Sequence, residues 1–360
     1  MNKRRTTSKI LIALLAILAL VAAACGDDEE ASAPPPAPEP PAPAPAEPPP
    51  PAPEPPPPPA DEGISFGLAL GGPRNDQAYF QSVYEGVVAY GGSPSIVDNL
   101  GDETAAGDAI RNLTEQHDLV VADITVFGAL LPIAEENPDT TYIITSGFFA
   151  QGDVPDNVYG YVTVYGWATY PMGVIAGTLS QSGKIGYITG PTFPIERTAL
   201  AGYTQGAQSV NPDIEVVETV VSSYSDVPGT QQAATAQIAS GVDVLYGFVD
   251  AGFVGLQQAA DEAAGEVLLF SPVVDRCDRG DNIVGNNVSD IPAMVTAAIG
   301  DFANGTLPPR TAAYGLEDES IQFFNLCSGY QDAELVALAE DTVAAIKDGS
   351  LQLPSEVTAR

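Results

Sequence analysis

The sequence predicts an α/β protein, with parallel sheets divided between two lobes, and three observations predict it. From Gly63 onward, apolar runs of strand length alternate with helix-length segments, the pattern of parallel strands joined by helical crossovers. The alternation lasts for about 300 residues, more than one hydrophobic core comfortably organises. A unit of strand, glycine turn and helix start occurs near the beginning of each half.

The first strand is read at 64–70, ISFGLAL, and Gly71-Gly72-Pro73 breaks it. Asn75-Asp76 then opens a helix over 76–91 that carries Tyr79, Phe80, Val83 and Tyr84. This geometry presents ligand groups at the carboxyl edge of an open α/β sheet. Asn and Asp are also ordinary helix N-caps, and that is the commoner role of such a pair. Tyr79 falls in the first helical turn, where its ring can cover a ligand at the sheet edge. Further strands are read at 94–98, 118–123, 140–145, 158–164, 185–189, 213–221, 242–249 and 266–271. Helices are read at 102–116, 126–136, 167–181, 194–209, 227–240, 252–264, 290–304 and 331–348. The segment Gly183-Lys-Ile-Gly-Tyr-Ile-Thr-Gly190, followed by a helix from Pro194, repeats the opening unit. Two such units face to face form a cleft, with Pro191, Pro194, Glu196 and Arg197 on its second wall. Arg197 has a plainer alternative, an ion pair with a neighbouring carboxylate.

Three aspartates each stand just past a strand: Asp123 after 119–122, Asp250 after 245–249, and Asp275 after 268–274. Together they can converge on the hydroxyls or amine of a ligand, and Phe253 joins them behind Asp250. Singly, each serves equally well as a cap or turn former. Trp167, in YGWATYPMG, is placed as packing or as part of a hinge.

The amino terminus reads as a targeting segment. Lys3, Arg4, Arg5 and Lys9 precede an apolar run, Ile10 to Ala24, and then Cys25. This is similar to a bacterial lipoprotein signal, with cleavage before Cys25 and lipid on that residue. The run is shorter than the roughly 20 residues a membrane span requires, and two acyl chains on a cysteine anchor stably. Residues 26–62 are acidic and then rich in Pro, Ala and Glu. Polyproline II at ~3.1 Å per residue lets about thirty residues lift a domain roughly 90 Å from the membrane. The expected organisation is therefore 1–24 signal peptide, 25–62 lipidated cysteine and linker, and 63–360 the two-lobed α/β domain.

Removing the four basic residues of the signal leaves nine Lys and Arg against 47 Asp and Glu, a balance near −38. Such a surface repels nucleic acid and anionic lipid, so no nucleic-acid partner is expected. A lone His117 and the absence of Cys-x-x-Cys argue against a metal site, and no cofactor motif is present. No Gly-x-Ser-x-Gly elbow or P-loop occurs, and no enzymatic activity is expected. Cys277 and Cys327 remain as an even pair in an oxidising compartment, where a disulfide is expected, with two buried thiols as the alternative. The bond is expected to join the region just past 275 to the carboxyl-terminal segment and to limit lobe opening.

These residues resemble the basic membrane protein (Bmp) family of solute-binding lipoproteins over most of 63–354. GGPRNDQAYFQSVYEG is similar to the family's glycine turn followed by Asn-Asp and Tyr-Glu-Gly. Ile133 to Asp139, Tyr170-x-x-Gly173, Gly183 to Gly186, Ala201-Gly202-Tyr203, Asn211-Pro212, Gly241 to Val244 and Gly349 to Pro354 follow the family's later blocks in order. The resemblance implies a class I periplasmic-binding-protein fold of two doubly wound parallel-sheet lobes joined by a three-crossing hinge. Lobe 1 would take about 63–164 plus part of 276–360, and lobe 2 about 165–275. It implies a monomer that is tethered on the extracytoplasmic face and delivers a small molecule to an ABC permease, with purine nucleosides as ligands of several members. Asn75 and Asp76 match the family's polar pair, and Tyr79 stands where a phenylalanine stacks on the base. The sequence departs at Gly128, Ala199 and Asp250-Ala251, and 284–290 lacks the family's lysine. Those changes shift the expected ligand toward a neutral, hydroxyl-rich or amine-bearing molecule. The alternative function is a module that presents ligand to a signalling receptor.

Overall fold

The structure, a computed structural model, describes residues 64–353. The signal, Cys25 and the Pro-rich tract lie outside the described residues. The β-α alternation is realised from β1 (Phe66–Ala69) and α1 (Tyr79–Tyr90) onward. The first sheet is completed by β2 (Ser95–Val97), β3 (Leu119–Asp123), β4 (Thr141–Thr145) and β5 (Val158–Thr163). Helices α2 (Glu103–Thr114) and α3 (Phe127–Glu136) connect them. The second sheet follows α4 (Tyr165–Leu179) and holds β6 (Lys184–Thr189), β7 (Glu215–Val220), β8 (Val244–Phe248) and β9 (Leu268–Val273). Between them run α5 (Pro194–Val210), α6 (Val227–Ala239) and α7 (Phe253–Asp261). The chain then forms β10 (Ile283–Ser289), α8 (Ile291–Asn304), β11 (Thr311–Tyr314), β12 (Gln322–Leu326) and α9 (Ala333–Lys347).

Strand order is β11-β5-β4-β3-β1-β2 in one sheet and β12-β10-β9-β8-β6-β7 in the other. All pairings are parallel except β10 with β12. The order reverses between β1 and β3 and again between β6 and β8, the two positions where open α/β sheets bind ligands beyond their carboxyl ends. The central strands are fully buried, so they read as continuous apolar runs.

The chain passes between the sheets at three places: β5 to α4, β10 to α8, and β11 to β12. These segments lie side by side. The Val164 N–H donates to the Tyr314 carbonyl at 2.7 Å, and the Asp290 N–H to the Ile321 carbonyl at 2.6 Å. Helix α8 returns to the first sheet, where the Tyr161 hydroxyl donates to Asp301 at 2.8 Å. Helices α4 and α5 approach through glycines; a Cβ on Gly173 would meet the Tyr203 carbonyl oxygen at 2.0 Å.

Two features depart from the sequence reading. The second sheet continues past the expected boundary at 275, because β10 and β12 belong to it. And the Cys277–Cys327 disulfide forms, but it ties the β9–β10 connection to the end of β12, both in the second lobe. It therefore does not span the cleft and cannot limit lobe opening. The connection itself, 274–282, joins parallel strands without a helix, although such crossovers usually take a dozen residues or more. The bond holds this short strap against the sheet edge.

Candidate functional site

The cleft begins at the turn after β1. Asp76 is buried, and its carboxylate accepts the N–H groups of Ala78, Phe80 and Gln81 at 3.0, 3.2 and 2.9 Å. It caps α1 and still faces the cleft. Burial raises its pKa against those amides. Asn75 is exposed and lines none of the cavities described below. Tyr79 is buried, and its hydroxyl donates to Thr145 Oγ1 at 2.7 Å and accepts from Ser146 Oγ at 2.8 Å. These bonds fix its ring at the carboxyl edge of β4.

Asp123 is fully buried. Its carboxylate accepts from the Gly71 N–H at 2.7 Å, the Thr125 N–H at 2.8 Å and the Thr125 hydroxyl. It joins the end of β3 to the glycine turn and lines none of the spaces between the lobes. Arg197 pairs with Glu218 at 3.0 Å on an exposed surface, the plainer of its two readings. Asp275 is exposed and holds the strap, accepting from the Cys277 N–H at 2.8 Å, Asn286 at 3.1 Å and Asn325 at 2.9 Å. Of the three strand-end aspartates, only Asp250 enters the cleft.

Asp250 follows β8, is 8% exposed, and makes no ion pair among the described residues. Burial pushes its pKa up to about 8; the nearby Asp76 carboxylate adds to this and Arg276 opposes it. Glu196, at the start of α5, accepts the Phe193 N–H at 2.7 Å, and burial pushes it up to about 7. The Tyr224 hydroxyl lies 2.6 Å from Glu196 Oε1 and 2.5 Å from the Pro191 carbonyl. A hydroxyl has one proton, so both contacts are hydrogen bonds when Glu196 is protonated and donates to Tyr224.

Four adjoining spaces lie between the lobes, and the most voluminous, about 810 Å³, is bounded by Gly72, Phe80 and Thr125 on one side and Pro191, Phe193 and Tyr224 on the other. A central one of about 50 Å³ is bounded by Tyr79, Phe80, Tyr165, Phe248, Glu196 and Asp250. It adjoins an apolar space of about 430 Å³ walled by Phe127, Phe148, Phe149, Val162, Phe193 and Ile195. On the other side of Asp250 is a polar space of about 250 Å³ bounded by Asp76, Gln77, Phe253, Gln257, Arg276 and Arg279. Phe253 lines this space, and its ring carries the Arg276 guanidinium, 4.7 Å from its centroid. Val273, at the end of β9 and on the wall of the central space, has φ +65, a left-handed conformation strained for a β-branched residue.

The sequence pointed to Glu196 as groove-facing, but not to Tyr165, Tyr224, Phe248 or Arg276 as wall residues. Phe248 carried a signal, as an aromatic at a strand end two residues before Asp250. Arg276 carried none, because its position depends on the strap doubling back under β9. Among the described residues no group of three or more His, Cys, Asp or Glu is arranged to hold a metal ion.

The model of a family described as ABC transporter substrate-binding protein, PnrA-like, matches residues 64–356. Basic membrane protein A2 of Borrelia garinii subsp. bavariensis is 27% identical over 194 residues, 53% of this chain and 58% of that protein. The chain thus spans little more than half the length of that relative. A purine-binding protein of Brucella abortus is 25% identical over 266 residues, 71% of each chain. The crystal structure of a solute-binding protein of an ABC transporter system from Aeropyrum pernix K1 superposes with a TM-score of 0.71 at 18% identity, covering 81% of this chain and 93% of that one. At that identity the likeness is one of fold.

Proposed function

The chain belongs to the family of PnrA-like ABC transporter substrate-binding (Bmp) proteins, and from that premise we propose that it captures a small molecule between its lobes and presents it to an ABC permease. Closure about the three-segment hinge traps the ligand, a binding cycle without turnover. The observation that carries this reading is the central cleft space, where Tyr79 and Phe80 of one lobe face Tyr165, Phe248, Glu196 and Asp250 around the other. Aromatic faces suit a flat or apolar ring, and two carboxyls suit hydroxyl or amine donors. A nucleoside fits that description, as does a neutral polyhydroxylated or amine-bearing molecule; the purine-binding Brucella relative makes nucleosides the first to test. Calorimetric titration of the purified protein with nucleosides, sugars and polyamines tests this. One saturable 1:1 heat, weakened at least tenfold by Asp250→Ala, is expected; unaltered affinity in that variant contradicts the assignment of the cleft.

The protein acts as a monomer tethered to the extracytoplasmic face of the cell membrane through lipid on Cys25, with 26–62 as its stalk. Incorporation of labelled fatty acid, abolished by Cys25→Ala, is the expected outcome; equal labelling of the variant removes the anchor.

A further inference from the structure

The polar space beyond Asp250 holds a buried carboxyl group and a buried guanidinium that do not satisfy each other. Every other lysine and arginine among the described residues pairs with a carboxylate. Arg276 does not, although it is only 7% exposed. Its Nη1 donates to Ser271 Oγ and to the Pro272 carbonyl, the latter at 2.8 Å. Its Nε and Nη2 have no hydrogen-bond partner among the described residues, so the side-on fork that grips a planar pair of oxygens is unspent. Across the same space, Asp250 is also more than nine-tenths buried, and only the Tyr79 backbone N–H of the opposite lobe is turned toward it. Asp76 contributes charge, but its oxygens are occupied by the α1 amides.

The strap fixes the Arg276 backbone. The Arg276 N–H donates to Asn286 Oδ1 at 3.1 Å, Asp275 bonds Asn286 and Asn325, and the next residue is fixed by the disulfide. Swinging the Arg276 side chain over to Asp250 would break its Nη1 bonds to Ser271 and the Pro272 carbonyl. Burying charge without compensation is costly. A lone anion would satisfy the fork but face Asp250 and Asp76; a lone cation would leave the fork bare. A ligand carrying both signs matches both walls.

We propose that this space is a subsite for a zwitterionic head group, with the ligand's carboxylate on the Arg276 fork and its ammonium on Asp250. The rest of the ligand extends past Asp250 toward the aromatic and apolar spaces, which makes a large apolar or aromatic α-amino acid the fitting class. This rests on the cleft being the ligand site, and it narrows the amine-bearing arm of the proposed ligands.

The test is calorimetry on the full purified chain in detergent, with L-phenylalanine, L-tyrosine and L-tryptophan, the amine phenethylamine, the acid 3-phenylpropionate, and inosine. At least one amino acid is expected to bind saturably, and the amine and the acid at least thirtyfold more weakly. Arg276→Met should weaken the amino acid at least thirtyfold and leave the amine unchanged. If that variant does not fold, the ligand series on the unmodified protein decides alone. Equal affinity for amino acid and amine overturns the subsite. Silence toward every amino acid also overturns it, and saturable binding of inosine in that case leaves the broader cleft reading standing.

Discussion

The two sheets repeat one strand order, and each places an aspartate at the carboxyl end of the strand beside its switch point. Asp123, the last residue of β3, is fully buried and accepts from the Gly71 amide, the Thr125 amide and the Thr125 hydroxyl. Asp250, after β8, is nearly as buried, yet has no side-chain donor among the described residues. The first lobe spends its carboxylate on its own turn; the second leaves its carboxylate on the cleft wall. Sequence position alone does not separate a ligand group from a structural one. The donors within reach do.

Four variants or conditions sharpen or break that comparison. The largest effect is expected from Asp123→Ala, which strands buried donors of the glycine turn and should destabilise by about 3 kcal/mol in urea unfolding. Asp250→Asn should leave stability unchanged or raise it; an equal loss in both would erase the distinction. Replacing Cys277 and Cys327 together with Ala should cost about 2–4 kcal/mol. It should also release the strap, so any ligand held by Arg276 should bind more weakly by calorimetry.

The third concerns pH. The folded-state pKa values of Asp250 and Glu196 stand above their unfolded values, at about 8 and about 7. Each then favours folding most below its unfolded pKa near 4, and this contribution is lost as pH rises through the folded value. Melting temperature of the free protein should therefore fall between about pH 4 and pH 8, and Asp250→Asn with Glu196→Gln should flatten that decline. The smallest effect is expected of Arg197→Ala. It breaks an exposed pair with Glu218, a loss of about 0.5 kcal/mol or less, with ligand affinity unchanged.

Most of the fold was legible because buried parallel strands announce themselves as apolar runs between helical periods. The exceptions have physical reasons. Strand β10 reads IVGNNVS, and its glycine and paired asparagines break the apolar run although Asn286 and Asn287 are fully buried. Strands β11 and β12 are short outer strands of mixed polarity. The Asn75-Asp76-Tyr79 corner was legible as a turn into a helix, but the helix begins at Tyr79 rather than at Asp76; Asp76 and Tyr79 line the inter-lobe spaces and Asn75 does not. Asp123 and Asp250 looked alike because a strand-end aspartate has the same local pattern whether or not its turn supplies donors. Arg276 was hidden because its placement depends on a short crossover, a strained Val273 and a disulfide to a strand that itself left little trace.

The central claim is that a ligand is held between the lobes against Tyr79, Phe248 and Asp250. A crystal structure of the protein with whatever small molecule co-purifies tests it most directly. The account predicts that molecule in the inter-lobe space, with a polar atom within hydrogen-bond distance of the Asp250 carboxylate. A ligand bound elsewhere, with the Asp250 wall left in water, would contradict it.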